Sequence, residues 1–296
     1  MRSSARSIIL GVDGGGSGCR AAVADARGQV LAQAEGGPAN VTTDLEQAAR
    51  NVVGAIRAAL SLAALGDHVL RDAVAHVGLA GVMSPDQAAC VASCLPIARC
   101  TVTDDRPTSL AGALGAADGA LVAIGTGTFI AARRDGVEAG VGGWGFQVSD
   151  QASGGWLGRG LLEHVLLCHD GMAGHTGLTK DIMARFGDAP GEIVAFARKA
   201  GPGDYAALAP EVIEAAETGD PAGIMLMRRG SRYIDRAFRV IGLGGDDVVC
   251  LAGGVGPHYR PYMRRAFVDR LVPPLGTALD GALRLARQAY ETQEAT

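Results

Sequence analysis

Apolar and polar positions follow two different periods along this chain, and glycines separate the segments. In the first forty residues the apolar runs are short and rich in valine and isoleucine, which is typical of buried strands. Such runs occupy 8–12, 19–25 and 29–34, with turn residues between them. The pattern therefore predicts a three-stranded meander.

Helical spacing replaces this pattern after the glycine-rich break at 36–40. Residues 43–46 match a capping box, and apolar side chains then recur every three or four positions as far as Leu60. Beyond this helix we predict two short buried strands and two further helices. The strands lie at 74–79 and 98–102, one helix begins at Ser84-Pro85, and the other follows 103–107 and ends near Leu114.

The same order of elements then begins again. Strands are predicted at 120–124, 129–133 and 137–141, and a turn of glycines and hydroxyls separates the first two. The rest of the chain is mostly helical. It includes a helix from Asp220-Pro221 to Gly242, a strand at 248–252 and a last helix at 277–291. The repeat predicts two α/β lobes with a cleft between them, each lobe contributing one glycine turn to a shared anion site.

The first glycine turn has the chemistry of an anion-binding loop. It reads Asp13-Gly14-Gly15-Gly16-Ser17. Backbone N–H groups without a neighbouring Cβ can approach a phosphate closely, and the Ser17 hydroxyl adds a donor. Strands flank the loop and no lysine follows it, so it fits neither the dinucleotide-binding nor the P-loop pattern. Asp13 is the candidate ligand of a hydrated magnesium ion. A hairpin turn that is merely rich in glycine is the structural alternative.

Composition narrows the class of protein. The 296 residues are 48% apolar and carry a net charge of −4, which argues against a nucleic-acid partner and a polybasic membrane surface. Neither a signal-peptide core nor a membrane span is evident, so a cytoplasmic protein is expected. The six cysteines form no C-x-x-C pair. We expect them to be small buried hydrophobes, with a metal or cluster role for the group around Cys90 and Cys94 as the alternative.

In their order, these motifs resemble those of the sugar-kinase, actin and Hsp70 superfamily of ATP-binding proteins. The loop 13–17 is similar to its first phosphate loop and Gly125-Thr126-Gly127-Thr128 to its second, while Gly253-Gly254 is similar to a glycine pair that contacts adenosine. Within the superfamily the chain resembles the N-acetylglucosamine and glucosamine kinases grouped with the BadF/BadG/BcrA/BcrD ATPases. The likeness spans nearly the whole chain. It implies two ribonuclease-H-like, actin-like ATPase lobes, 1–104 with 278–296 and 105–277, and a central ATP and sugar cleft.

The resemblance also implies roles for single residues. Asp105 corresponds to the aspartate that deprotonates the sugar hydroxyl; Asp104 competes for that role, but the helix register favours Asp105. The implied sugar contacts are Asn40, Gly143, Trp144, Gly145, Asp150 and Asp105 itself. Where family members often read Gly-Asp-Glu-Gly-Ser, this chain has Ser149-Asp150-Gln151-Ala152-Ser153. The missing carboxylate at Gln151 leaves the identity of the sugar open.

Three of these residues also have purely structural interpretations. Trp144, among glycines, could fill the floor of the second lobe. Asp150 precedes a predicted helix and could be its N-cap. Asn40 follows a Gly-Gly-Pro turn and could be an ordinary turn residue.

The function implied by the resemblance is an ATP- and magnesium-dependent kinase that phosphorylates the 6-hydroxyl of glucosamine or N-acetylglucosamine. Such kinases often form homodimers. Two rivals are a BadF-type ATPase, which activates an electron-transfer partner through a cysteine-bound iron–sulfur cluster, and a non-catalytic sugar sensor. The Gly-Trp-Gly segment argues against the first rival. The absence of a helix-turn-helix extension or basic patch, and the presence of Asp105, argue against the second.

Overall fold

The computed structural model describes residues 7–294 and contains two compact units. Unit 2 is Asp118–Pro273; unit 1 is the chain before it, up to Ala117, together with the chain after it, from Pro274. The strands are β1 Ile8–Gly14, β2 Cys19–Asp25, β3 Val30–Gly36, β4 Val74–Leu79, β5 Arg99–Thr103, β6 Gly119–Ile124, β7 Thr128–Arg134, β8 Val137–Gly142, β9 Val248–Ala252 and β10 Leu271–Val272.

Eleven α-helices are assigned among the described residues. They are α1 Leu45–Leu62, α2 Pro85–Cys94, α3 Asp105–Leu114, α4 Gly154–His169, α5 Gly177–Arg185, α6 Pro190–Ala197, α7 Pro202–Ala206, α8 Ala209–Glu217, α9 Pro221–Ile241, α10 Arg265–Val268 and α11 Ala278–Glu294. Two 3-10 helices, Asp67–Arg71 and Gly256–Tyr262, complete the set. Within residues 7–294, no helix combines the length and apolar character that crossing a membrane requires.

Unit 1 is a five-stranded mixed sheet in the order β3-β2-β1-β4-β5. The predicted meander is confirmed, because β1, β2 and β3 pair antiparallel, while β4 and β5 run parallel to β1. One face of the sheet packs on α1 and α2, and the other packs on α11. Gly11 lets α11 approach β1 closely, since a Cβ there would lie 2.7 Å from the Leu283 amide nitrogen.

Helix α3 also belongs to unit 1, whereas the sequence-based boundary after residue 104 assigns it to the second lobe. The reason is its contact with α11, where glycines replace side chains at the crossing. A Cβ at Gly281 would collide with the Thr108 carbonyl, and one at Gly112 would collide with the Thr277 carbonyl. A domain boundary read along the chain could not anticipate this close packing.

Helix boundaries largely follow the predicted capping residues. Ser84 caps α2 through the Gln87 N–H, and α9 runs from the Asp220 cap to a left-handed Gly242, as expected. The capping box predicted at 43–46 is wrong by one position. Asp44 is the N-cap of α1, and its carboxylate accepts the Gln47 N–H at 2.9 Å.

Unit 2 repeats the same strand order. Its sheet runs β10-β9-β6-β7-β8, with β6, β7 and β8 forming an antiparallel meander and β9 parallel to β6. Read from the other edge, this is the order of unit 1. The prediction of two α/β lobes built on a duplicated pattern is therefore confirmed. Helices α4, α8 and α9 supply most of the apolar core beneath this sheet.

The solvent side of α9 corrects one expectation. Arginines occupy five exposed positions on one side of this helix: Arg228, Arg229, Arg232, Arg236 and Arg239. The expected absence of a basic patch is therefore wrong. Net charge conceals the patch because acidic residues elsewhere in the chain balance it.

Candidate active site

The sheet register of unit 1 brings the predicted catalytic and phosphate-binding residues to one edge. Asp13 pairs with Gly78 of β4, and Gly78 pairs with Thr103, the last residue of β5. Adjacent strands lie about 4.8 Å apart, so the starts of the loops after β1 and β5 are about 10 Å from each other. Asn40 lies at the same edge of the sheet, because the N–H of its neighbour Val41 donates to the Ala80 carbonyl, just past the end of β4, at 3.0 Å.

The first glycine loop is a tight turn with an exposed tip. The Gly15 N–H donates to the Gly18 carbonyl at 2.9 Å, and the Ala39 N–H donates to the Gly15 carbonyl at 2.9 Å. These bonds fix the base of the turn. Gly16 and Ser17 remain exposed, so their N–H and hydroxyl groups can meet an anion.

Asp13 has a partner that sequence reasoning missed. Arg20 lies directly across the hairpin, and its Nη2 is 2.7 Å from Asp13 Oδ2. The Asp13 side chain is 18% exposed and that of Arg20 is 47% exposed. The register of a tight hairpin was the signal that could have revealed the pair. An exposed arginine on this carboxylate can be displaced by another cation.

The donor set at Asp13 suits magnesium held largely by water and phosphate. Among residues 7–294, no group of three or more histidine, cysteine, aspartate or glutamate side chains could hold a metal ion. Magnesium is commonly held by one or two carboxylates together with waters and substrate phosphates. A lone half-buried carboxylate beside an anion-binding loop meets that requirement.

The two neighbouring aspartates have clearly different environments. Asp104 is the N-cap of α3, and its carboxylate accepts from the Arg106 N–H at 2.8 Å and is ion-paired with the Arg106 guanidinium at 3.0 Å. Asp105 has no such counter-ion, and its burial, reinforced by the Asp104 charge, raises its pKa to about 6. Asp104 therefore has a structural role, whereas Asp105 is available to exchange a proton near neutral pH.

Asn40 serves the turn and keeps a donor free for other use. Its Oδ1 accepts from the Thr42 N–H at 3.0 Å and from the Thr42 hydroxyl at 2.6 Å. Gly81 packs against the same oxygen, 2.5 Å from where its Cβ would be. The structural interpretation as a turn residue is confirmed, and the Asn40 amide N–H group is the part that a ligand could engage.

In unit 2, the second glycine turn and the glycine pair are neighbours. The Gly125 N–H donates to the Gly127 carbonyl at 3.0 Å, and the Gly154 N–H of α4 donates to the Gly125 carbonyl at 2.8 Å. Gly253 has φ +79° and packs on the end of β6, where a Cβ would collide with the Ile124 carbonyl. The predicted ATP contacts 125–127 and 253–254 thus share one edge of this sheet.

We expect Gly253→Ala to weaken ATP binding, whereas Gly136→Ala serves as the matched control. A left-handed alanine costs about 1–2 kcal/mol, and at Gly253 the added methyl group must also displace the Ile124 carbonyl, which accepts the Val255 N–H. Gly136, exposed in the hairpin between β7 and β8, has φ +76° and nothing within 4 Å of its Cβ position. Titration with ATP should show a loss of affinity of about tenfold or more, or 1.4 kcal/mol, in Gly253→Ala. Equal affinities and unfolding free energies in the two variants would contradict this role.

Asp150 is a buried carboxylate that links two predicted binding segments. It is 7% exposed with φ +61°, and its carboxylate accepts the backbone N–H groups of Gly145 and Thr128. A Cβ at Gly127 would lie 2.9 Å from Asp150 Oδ2. Burial raises the pKa of Asp150, and these backbone hydrogen bonds partly oppose the rise. Asp150 therefore ties the segment 142–146 to the second phosphate loop.

The two structural alternatives for this segment are wrong. Ser153, not Asp150, caps α4, and its hydroxyl accepts the Trp156 N–H at 3.0 Å. Trp144 is 62% exposed and fills no core. Gly143 and Gly145 on either side of it have φ +77° and +93°, which only glycine adopts without strain. The exposed indole is available to stack on a sugar ring.

The cysteines follow the expectation only in part. Cys19, Cys168 and Cys250 are buried, as expected of small hydrophobes. Cys90 and Cys94 are exposed on α2, so the expectation is wrong for them. A two-residue pair of exposed thiols does not by itself form a metal site.

Comparisons with known proteins show the family of this chain. Residues 10–272 match the model of the BadF/BadG/BcrA/BcrD ATPase family. The chain is 31% identical to the glucosamine kinase GspK of Vibrio cholerae. The 283 aligned residues cover 95% of this chain and 96% of that kinase.

Solved structures show the same fold. The crystal structure of a candidate N-acetylglucosamine kinase from Chromobacterium violaceum is 32% identical, covers 95% of this chain and 99% of its own, and has a TM-score of 0.85. A corresponding candidate kinase from Porphyromonas gingivalis is 20% identical, covers 96% and 99% of the two chains, and has a TM-score of 0.68, which is a likeness of fold. The predicted actin-like, two-lobed α/β class is confirmed.

Proposed function

The chain belongs to the BadF/BadG/BcrA/BcrD ATPase family and is an ATP-dependent sugar kinase, and we propose that its acceptor is the 6-hydroxyl of glucosamine or N-acetylglucosamine. Two relatives that are more than 30% identical over 95% of this chain are named for these two amino sugars. The 6-hydroxyl is the primary alcohol of the ring and is its least hindered hydroxyl group.

The difference between Asp104 and Asp105 supports the catalytic part of this proposal, in which Asp105 is the base. A kinase needs one carboxylate near the acceptor hydroxyl that is ionised yet still basic at neutral pH. Asp105, with a pKa of about 6 and no counter-ion of its own, meets that need, whereas Arg106 neutralises Asp104. As the sugar oxygen bonds to the γ-phosphorus, the bond from that phosphorus to the ADP oxygen breaks, and Asp105 accepts the hydroxyl proton.

The phosphate contacts are assigned to the two glycine turns. In unit 1 the loop is Gly14, Gly15, Gly16 and Ser17, of which the exposed Gly16 and Ser17 offer backbone and hydroxyl donors; in unit 2 it is Gly125, Thr126 and Gly127. Gly253 and Gly254 are assigned to the adenosine. Asp13 would hold magnesium, which when bound neutralises phosphate charge that develops during transfer. The sugar contacts are assigned to Asn40, Asp105, Gly143, Trp144, Gly145 and Asp150.

ADP release tests the proposal directly. With ATP and magnesium, we expect turnover only when glucosamine or N-acetylglucosamine is added, and little with glucose or N-acetylmannosamine. The hydrolysis rate without sugar is the baseline for every acceptor. Identification of the product by NMR would show whether the phosphate is on the 6-oxygen. A rate of ADP release that none of the four sugars increases would contradict the proposal.

The same measurements separate the two rivals. An electron-activating ATPase would hold iron when purified without oxygen, and its ATPase rate would not respond to sugar. A non-catalytic sensor would bind sugar without releasing ADP. The arginine face of α9 removes one argument against the sensor, whereas the presence of Asp105 still argues against it.

A further inference from the structure

His76 is a buried imidazole in the interior of β4, where a polar group needs a hydrogen-bond partner. Its Nε2 lies 3.1 Å from the Thr103 hydroxyl oxygen. In the register of the sheet His76 faces Thr101, so Thr103 is its diagonal neighbour on the same face of β5. The bond therefore extends from the middle of β4 toward the end of β5, where the two aspartates begin.

The hydrogen bond that Thr103 makes with Asp104 decides which atom donates in the bond between His76 and Thr103. The Thr103 hydroxyl donates its only hydrogen to the Asp104 carbonyl oxygen at 2.8 Å. The same oxygen must then accept from His76, which fixes the proton on Nε2. A chain of donors thus runs from the His76 N–H to the Thr103 hydroxyl and on to the Asp104 carbonyl.

The Asp104 carbonyl belongs to the peptide group that joins Asp104 to Asp105. A second hydroxyl holds the following peptide group, because Thr108 Oγ1 donates to the Asp105 carbonyl oxygen at 3.1 Å. Thr108 itself is buried against Gly78, where a Cβ would collide with its hydroxyl. The carbonyls of Asp104 and Asp105 therefore each receive a hydroxyl donor, one from Thr103 of β5 and one from Thr108, which lies on α3 and packs against Gly78 of β4.

We propose that His76 and Thr103 are positioning residues that hold Asp105 in place for proton transfer from the sugar. Both residues act through the Asp104 carbonyl. The inference rests on the proposed kinase function and on Asp105 as its base. Burial lowers the pKa of His76 to about 4, below that of Asp105, so the imidazole stays neutral over the pH range in which Asp105 ionises.

We call the hydrogen-bond chain from His76 through Thr103 to the Asp104 carbonyl the relay. A matched pair of variants at Thr103 tests it. Thr103→Val keeps the shape and the strand propensity but removes the hydroxyl, whereas Thr103→Ser keeps the hydroxyl. We expect kcat to fall by about 10- to 100-fold in Thr103→Val, because a small misplacement of a catalytic group can cost about 10²-fold. The KM for ATP should change by less than about threefold, since the groups assigned to ATP stay in place. Thr103→Ser should retain most of the wild-type kcat.

Variants at His76 test the first donor of this hydrogen-bond chain. His76→Leu removes the donor, and His76→Gln places an amide N–H near the position of Nε2. Leucine should lower kcat, and glutamine should restore much of it. If the two residues form one relay, the double variant His76→Leu/Thr103→Val should be little worse than its more damaging single variant. The pH at which kcat falls on the acidic side should also move in Thr103→Val but not in Thr103→Ser.

The outcomes distinguish failure of the relay from failure of the function. A wild-type protein without sugar-dependent turnover would contradict the proposed function. An active wild type with equal kcat and pH profiles in Thr103→Val and Thr103→Ser would contradict the relay alone. Strictly multiplicative losses in the double variant would also overturn it. The Thr103 pair, at the half-buried end of its strand, keeps the test open should His76→Leu fail to fold.

Discussion

Replacing Asp105 with asparagine is expected to lower kcat for sugar phosphorylation by about 10²–10⁴, the usual contribution of a general base. Asparagine matches the shape of aspartate but cannot accept the hydroxyl proton. KM for ATP should change little, because the phosphate loops do not depend on this side chain. Steady-state ADP release measures kcat, and titration of the variant with ATP and with sugar shows that both still bind.

Asp104→Asn is the matched control for this variant. Asparagine remains a good N-cap for α3, while the ion pair with Arg106 and the charge that helps to raise the pKa of Asp105 are lost. We expect a far smaller loss of kcat than in Asp105→Asn. Equal losses in both variants, or an active Asp105→Asn, would show that the base has been assigned to the wrong residue.

The pH dependence of kcat reports on the same group. Asp105 must be ionised to accept a proton, so kcat should fall about tenfold per pH unit below the pKa of about 6. The raised pKa also means that the folded protein binds this proton more tightly than the unfolded chain does. The stabilisation that comes from binding this proton is therefore lost as pH rises from about 4 to 6, and the free energy of unfolding falls. Asp105→Asn should accordingly be no less stable than wild type at pH 8.

Local sequence signals predicted the framework well because they depend on neighbouring residues. The strand predicted at 248–252 has the same bounds as β9, and Ser84 with Pro85 begins α2 as expected. Apolar periodicity and capping chemistry act over a few positions, which a single sequence displays. The duplicated strand order also followed from local patterns, since both meanders repeat a strand, a glycine turn and a second strand.

Side-chain partners were harder to predict because they depend on register between distant strands. The bond from His76 to Thr103 exists only when β4 and β5 pair as they do. Likewise, only the packed structure shows that Trp144 is exposed while Asp150 is buried against a glycine turn. The structure shows where the candidate residues lie, and their roles in binding and catalysis are predictions that the variants described here test.

Asp13→Asn is expected to lower kcat/KM for ATP by about 10²–10³, the range found when one electrostatic stabiliser is removed. The carboxylate is the proposed magnesium ligand, and an asparagine oxygen holds a divalent cation more weakly. The magnesium concentration that gives half-maximal turnover at fixed ATP should rise in this variant. Stability should change by less than about 1 kcal/mol, because the ion pair with Arg20 is partly exposed.

Arg20→Gln separates the metal role of Asp13 from its ion pair. Arginine and magnesium would compete for the same carboxylate, 2.7 Å from the guanidinium in this structure. Removing the arginine should therefore leave the half-maximal magnesium concentration the same or lower it, whereas Asp13→Asn should raise it. Magnesium titrations of the two variants, run beside chemical denaturation, make the comparison. If both variants lost activity equally without any change in magnesium dependence, Asp13 would be a structural partner of Arg20 rather than a metal ligand.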